Sequence, residues 1–249
     1  MSVKNRLDIE LVKRGIVSTR SQAESYIKLG KVLVNKKPIL KPGFFVDSSA
    51  TLILTQDEQY VSRAGLKLAS VAKIFNLDFN DKVVLDVGSS TGGFTDFALK
   101  NNAKKVIAVD VGTNQLHPSL RNNPQIELYE QTDIRDFANR PPVSGAILAL
   151  DIVVADVSFI SLRDILPSIS QLCSKSTQIV VMVKPQFESG DDFRHKGVIK
   201  NDSIRRDILK NFEIWIKKQF VVIAKADSAI AGSKGNRERF YLLKMLNNK

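Results

Sequence analysis

Four charged side chains, spread over more than 170 residues, have the types and neighbours of a single active site. Lys67 lies in Ala-Gly-Leu-Lys-Leu and Asp156 in Ala-Asp-Val-Ser-Phe. Lys184 lies in Val-Met-Val-Lys-Pro-Gln-Phe-Glu and Glu238 in Gly-Asn-Arg-Glu-Arg-Phe. Two lysines interleaved with two carboxylates are equipment for removing a proton from a weakly acidic hydroxyl. A ribose 2′-hydroxyl is such a group, and its methylation by a sulfonium donor is an in-line transfer. Aligning the two reacting atoms can supply several kcal/mol, and general-base help adds typically 10²–10⁴-fold. A lysine can act as base only when neutral. From an unperturbed pKa of about 10.4, reaching about 7.5 costs roughly 4 kcal/mol, which burial and a neighbouring cation can supply. Lys184 is therefore expected to be the base and Asp156 its partner near the methyl group. Lys67 and Glu238 are expected to orient or tune it.

A cofactor loop lies between the first two of these positions. Leu85-Asp86-Val87-Gly88-Ser89-Ser90-Thr91-Gly92-Gly93 follows an apolar strand, and Phe94 opens a helix. Glycines at such a turn let backbone approach a ligand closely. The spacing is G-x-x-x-G-G, not the dinucleotide G-x-G-x-x-G, and position 90 is Ser90, so no glycine lets a pyrophosphate settle on the helix N-terminus. A cofactor without phosphate, S-adenosylmethionine (SAM), fits this loop better. Asp110 ends the next strand and is placed to accept both ribose hydroxyls of the cofactor. Asp133 is expected near the end of a third strand, within reach of an adenine amine.

The elements that must position these groups alternate in type. Strands are predicted at 82–86, 105–110, 152–156, 179–184 and 220–224, with helices between them. Such apolar runs indicate a mostly parallel sheet covered on both faces, an α/β fold whose strand ends open onto the ligand crevice. Asp156 and Lys184 both fall at such ends. Ahead of this domain, Leu7–Val12 predicts a short helix. Thr19-Arg20-Ser21-Gln22 has capping-box spacing and opens a second helix that Gly30 ends. Lys31–Asn35 and Thr51–Leu54 predict strands, with Lys36, Lys37 and Pro38 turning the chain. The stretch from Ser18 to Asn35 resembles the S4 RNA-binding domain. That resemblance implies phosphate contacts from Arg6, Arg14, Arg20, Lys28, Lys31, Lys36 and Lys37, which give affinity and salt dependence without reading sequence. The expected division is an α+β unit over 1–56, a polar linker over 57–62 and the catalytic domain over 63–249.

Bulk properties narrow the classes. The chain has 249 residues, 43% of them hydrophobic, enough for one sizeable core and a small appended domain. A net charge of +11 favours a polyanionic partner, nucleic acid before membrane. The excess is shared, with ten Lys and Arg against six Asp and Glu in residues 1–59 and 27 against 20 thereafter. One cysteine, Cys173, allows no internal disulfide and suits a reducing cytosol. The first residues have no signal-peptide character, no stretch reaches the length of a membrane span, and two distant histidines make no zinc site. Other methyl-transfer chemistries fit worse. A base-amine enzyme needs Asn/Asp-Pro-Pro-aromatic where this chain has Asp156-Val157-Ser158-Phe159, and a cytosine-C5 enzyme needs a nucleophilic cysteine where Cys173 reads as a helix end.

Taken in order, the segments 62–68, 86–95, 156–161, 183–188 and 235–238 resemble the TlyA family, an S4 domain fused to an FtsJ/RrmJ-like 2′-O-methyltransferase. The resemblance covers nearly the whole chain. It implies a Rossmann-like fold and SAM held by Asp86, Gly88, Ser89, Ser90, Thr91, Gly92, Gly93, Phe94, Asp110, Asp133 and Asp156. It further implies ribosomal RNA or ribosomal subunits as partner, cytidine ribose as target, a cytoplasmic location, and the tetrad Lys67, Asp156, Lys184 and Glu238. One departure is Ser228-Ala229-Ile230, where many members carry Ser-Pro, and a looser loop before Glu238 is expected from it. The competing readings are a non-catalytic RNA-binding assembly factor on the same fold, and the membrane-active hemolysin that the family's second label implies.

Overall fold

The computed structural model describes residues 4–17, 19–55, 60–139, 149–190, 197–232 and 235–246. The N-terminal unit runs β1 (Lys4–Arg6), α1 (Leu7–Lys13), α2 (Arg20–Lys28), β2 (Val32–Val34), β3 (Lys37–Pro38), β4 (Phe45–Asp47) and β5 (Leu52–Leu54). Its small core joins Leu7, Leu11, Val17, Tyr26, Ile27 and Val32, all 2% exposed or less. Burying each such side chain stabilises by about 1.5–3 kcal/mol. Thr19 caps α2 as expected, its Oγ1 accepting from Gln22 N at 3.2 Å. The turn after β2 differs from the sequence reading. Asn35 and Lys36 make it, both with positive φ, while Lys37 and Pro38 already belong to β3, paired antiparallel with Val34 and Leu33. Two consecutive positive-φ residues are what a tight hairpin turn demands, and that choice is backbone geometry rather than composition.

The second part continues with α3 (Arg63–Ala72), β6 (Val83–Val87), α4 (Gly93–Lys100), β7 (Lys105–Val109), β8 (Ile126–Tyr129) and α5 (Ile134–Asn139). It ends with β9 (Ile152–Ala155), α6 (Leu162–Gln171), β10 (Gln178–Val183), α7 (Pro185–Glu188), α8 (Asp202–Ile216), β11 (Phe220–Asp227) and β12 (Arg239–Met245). Its sheet is ordered β11-β12-β10-β9-β6-β7-β8. Only β12 runs against its neighbours, so this is the mostly parallel α/β sheet expected. Val153, Val154, Val180, Val181 and Val183 are fully buried in its central strands. Two of the strands were given no bounds by the sequence reading. β8 is the third strand expected before Asp133, but it ends at Tyr129; it is an edge strand, only partly buried, and carries Glu127, so its apolar signal is diluted. β12 is a buried run between charged ends, whose direction only the sheet reveals.

The predicted linker divides in two. Residues 57–59 lie outside the described residues. Tyr60, by contrast, is buried against Phe97, with ring centroids 5.4 Å apart. Its carbonyl accepts from Gln22 Nε2 in the N-terminal unit at 3.4 Å, and the next amide, Val61 N, donates to Asp96 at 2.8 Å. The end of the segment is therefore docked on α4. Among the described residues no helix is long and apolar enough to cross a membrane, and no group of three or more His, Cys, Asp or Glu could hold a metal.

Candidate active site and cofactor cleft

Lys184 follows the last residue of β10, and Asp156 the last residue of the adjacent parallel strand β9. Lys184 Nζ lies 2.6 Å from Asp156 Oδ1, with their side chains 10% and 15% exposed. The contact is an ion pair without hydrogen-bond alignment, since that oxygen is buried and unpartnered by bonding geometry. The aligned bond from Lys184 Nζ goes to Ser158 Oγ at 2.7 Å.

Lys67 is the oddity of α3. It is 8% exposed in a helix that also buries Leu66, Leu68 and Val71, and a buried lysine is rarely found unpaired. Its Nζ donates to Glu238 Oε2 at 2.5 Å, and Glu238 is 3% exposed. Gly65 and Gly93 let α3 sit this close. A Cβ on Gly65 would lie 2.8 Å from the carbonyl oxygen of Gly93, and one on Gly93 would lie 2.2 Å from Ser62 Oγ. The four expected residues thus form two ion pairs, and among the described residues no bond joins one pair to the other.

The loop before Glu238 is fastened, contrary to the looseness expected from Ser228-Ala229-Ile230. Ser228 N donates to the Glu238 carbonyl at 3.0 Å, Ser228 Oγ donates to the Ile230 carbonyl at 2.8 Å, and Ile230 is 2% exposed. Asn236 clamps the other side, accepting from Ile199 N at 2.9 Å and donating to the Gly197 carbonyl at 2.8 Å.

The cofactor loop has the strain that a close backbone approach requires. Gly88 has φ +79° and a Cβ there would lie 2.8 Å from the Asp156 carbonyl oxygen. Gly92, at φ +88°, faces Leu116 and Leu120 within 2.7 Å of a would-be Cβ, so any larger residue collides. Asp86 is 1% exposed. Its Oδ2 accepts from Thr95 Oγ1 at 2.6 Å, while Oδ1 is buried with no partner. Burial pushes its carboxyl up to about 7, the Thr95 bond pulls down against this, and nearby Asp156 and Asp110 push further up. Ser89 Oγ is a second buried, unpartnered polar atom. Asp110 accepts from Ser90 N at 2.8 Å and from Gly112 N at 2.7 Å.

Two cavities flank this loop. The larger, about 360 Å³, is lined by Gly88, Asp110, Asp133, Asp156 and Phe159 among others. The smaller, about 150 Å³, is lined by Asp86, Ser89, Thr91, Phe94 and Lys184 among others. Both share Gly88, Ser90, Asp156 and Ser158, so the Lys184–Asp156 pair stands where they meet. Asp133 does not end a strand. It opens α5, its Oδ1 accepting from Arg135 N at 2.8 Å, and an ion pair to Arg135 at 2.7 Å holds its carboxyl below the usual range. It still lines the larger cavity.

Sequence reasoning missed Phe159 as a site residue. It is 89% exposed, has φ +66°, and lies 5.3 Å from the Phe187 ring. A bulky residue in the left-handed region is strained, and such strain collects at functional sites. No pattern in Asp-Val-Ser-Phe announces it, because an aromatic after a strand normally reads as core.

The basic set of the N-terminal unit divides as well. Arg6 and Arg20 both pair with the fully buried Asp8, at 2.9 and 2.8 Å. Arg14 pairs with Glu10 and donates to the carbonyls of Ala50 and Ser48, so it brackets the N-terminal unit internally. Lys28, Lys36 and Lys37 are exposed and Lys31 is half-buried, none with an ion pair among the described residues.

Comparison with known proteins agrees with this geometry. The profile of the FtsJ-like methyltransferase family matches residues 60–245, and that of the S4 domain residues 5–52. A Mycobacterium tuberculosis 16S/23S rRNA (cytidine-2′-O)-methyltransferase TlyA is 37% identical over 248 residues, covering 98% of this chain and 91% of that protein. The chain belongs to the TlyA family of FtsJ-like methyltransferases. The Campylobacter jejuni 23S rRNA (cytidine-2′-O)-methyltransferase TlyA is 41% identical over 74% of this TlyA-family chain and 70% of its own length. Hemolysin A of Brachyspira hyodysenteriae is 37% identical over 94% and 97%. A solved Streptococcus thermophilus protein that carries a hemolysin designation shares 36% identity and a TM-score of 0.71, covering 100% of this chain and 90% of that one. The residues around the glycine loop fit the SAM of this family: an unpartnered carboxylate oxygen and hydroxyl, and glycines whose Cβ atoms would collide.

Proposed function

We propose that this chain transfers a methyl group from SAM to a ribose 2′-hydroxyl of ribosomal RNA, with cytidine as the target nucleoside and the cytoplasm as its location. The observation that carries the proposal is the Lys184–Asp156 pair, held at 2.6 Å where the two cavities meet. SAM, when bound, supplies an electrophilic methyl on a cationic sulfonium. Asp86 and the 88–94 loop would hold its amino-acid end, Asp110 its ribose and Asp133 the adenine edge. Lys184 Nζ, once it has given up its own proton to solvent, receives the hydroxyl proton. Asp156 and Ser158 fix that nitrogen in place, so the geometry is set before the nucleotide arrives. Lys67 and Glu238 neutralise each other and brace α3 against the Gly-Asn-Arg-Glu segment. Phe159 offers an exposed aromatic face on which the target base can stack once it leaves its helix.

The N-terminal unit supplies sequence-independent affinity through Lys28, Lys31, Lys36 and Lys37, with Arg6 and Arg20 sharing their charge with Asp8. We keep the domain division at 1–56 and 63–249, with residues 60–62 as a docked strap. The test is methyl transfer from labelled SAM to naked rRNA and to isolated small and large ribosomal subunits, comparing wild type with Lys184→Ala. Ribose-methylated cytidine in one subunit, lost in the variant, is the expected result. Absence of label on every substrate, with SAM binding intact, would defeat the proposal.

A further inference from the structure

Glu188 is a buried acid that the chemistry above does not use. Its side chain is 1% exposed, at the end of α7. Oε2 accepts from Ser161 Oγ and Oε1 from Leu162 N, both at 2.7 Å. Arg163 Nε is 3.6 Å away, and its guanidinium lies over the Trp215 ring. Burial pushes the Glu188 carboxyl up, while its two hydrogen bonds and Arg163 pull it down.

The placement matters more than the individual bonds. Two chain segments leave adjacent parallel strands, one from β9 through Asp156 to Ser161, the other from β10 through Lys184 to Glu188. They touch at successive levels. Asp156 and Ser158 meet Lys184, Phe159 meets Phe187, and Ser161 with Leu162 meets Glu188. The first level holds the reacting groups, the second the strained aromatic, and the last is Glu188. We propose that Glu188 is a positioning residue for methyl transfer: it ties the distal ends of the two arms together, so that Asp156, Lys184 and Phe159 move as one unit. The inference rests on the methyltransferase reading of this site. Capping α6 alone does not need a buried charge from another arm, because Ser161 Oγ already caps it by accepting from Arg163 N at 3.1 Å.

A carboxamide keeps the shape and both contacts, because Gln accepts from Leu162 N while its NH₂ donates to Ser161 Oγ, which can rotate to accept. The experiment therefore compares Glu188→Ala with Glu188→Gln in the full-length protein. For Glu188→Ala, kcat on rRNA should fall about 10- to 100-fold, the cost of a misplacement of about 1 Å, with KM for RNA and SAM little changed. Glu188→Gln should recover most of that loss. Independently of turnover, amide hydrogen exchange over residues 157–162 should quicken in Glu188→Ala and stay at the wild-type rate in Glu188→Gln. Should Glu188→Ala fail to fold, Ser161→Ala deletes one contact and should lower kcat about 3- to 10-fold. Unchanged kcat and exchange in Glu188→Ala, or a loss carried by KM, or a Glu188→Gln variant as impaired as Glu188→Ala, would overturn the inference. Wild-type protein that methylates no RNA would overturn the functional reading instead, and the exchange data would still decide whether Glu188 couples the two arms.

Discussion

Replacing Asp86 with Asn should stabilise the protein above neutral pH and weaken cofactor binding at the same time. Asp86 is buried, and its carboxyl is raised from 3.8 to about 7, mainly by that burial. Below about pH 4 the folded and unfolded chains both hold the proton, and Asp86 contributes no pH dependence. Between about pH 4 and pH 7 the unfolded chain has lost the proton and the folded chain keeps it, so stability falls by about 1.4 kcal/mol per pH unit. Above pH 7 both are ionised and the loss levels off at about 4 kcal/mol. The Asp86→Asn variant is free of this loss, because a carboxamide does not ionise, and its amide oxygen can still accept from Thr95 Oγ1. The difference between variant and wild type should therefore be smallest near pH 4 and grow by up to about 4 kcal/mol by pH 8. Taking the difference cancels the opposite trends of Asp8, Asp133 and Asp227, whose carboxyls are all held low by arginine partners. Denaturant unfolding at about pH 4.5, 6 and 8 measures it, and calorimetric SAM titration at about pH 8 measures the functional side. There, loss of a charged acceptor should weaken binding about tenfold or more. A stability difference that does not change with pH would refute the argument, because it would mean that Asp86 ionises in the fold as it does in water.

Four other outcomes follow from the geometry. Lys67→Met leaves Glu238 buried and unpaired and should cost about 3–5 kcal/mol in denaturant unfolding, while the double variant Lys67→Met/Glu238→Leu should regain much of that stability and remain inactive. Replacing Lys31, Lys36 or Lys37 with Gln should each reduce the slope of log affinity for RNA against log salt by about 0.7 to 0.9. Arg14→Gln should instead lower the unfolding midpoint, since Arg14 brackets Ala50 and Ser48 inside the N-terminal unit. Phe159→Gly removes left-handed strain and should raise stability by about 1 kcal/mol or more. It should also lower kcat/KM on rRNA by the loss of a stacking partner, worth about 1–3 kcal/mol.

The alternation of apolar strands and helices determined the parallel sheet, because a buried β-strand and an amphipathic helix leave different periodicities in a chain. The glycine loop, Asp110 and the strand-end positions of Asp156 and Lys184 were legible for the same reason: the ligand crevice of such a sheet lies at its strand ends. The capping box at Thr19 was legible because its partners are three residues apart. What sequence could not supply were contacts between residues distant along the chain. Lys67 was legible as a site candidate, but its direct pairing with Glu238, 171 positions away and at 2.5 Å, was not. Nothing along the chain shows that Arg14 donates to the Ala50 carbonyl, 36 positions away. Glu188 and Phe159 carry no local pattern, since one is a buried strut between two arms and the other a strained aromatic held out to solvent. Local chemistry and periodicity are written in neighbours along the chain. Pairing, burial and strain depend on which distant segments the fold presses together, and only the tertiary structure decides that.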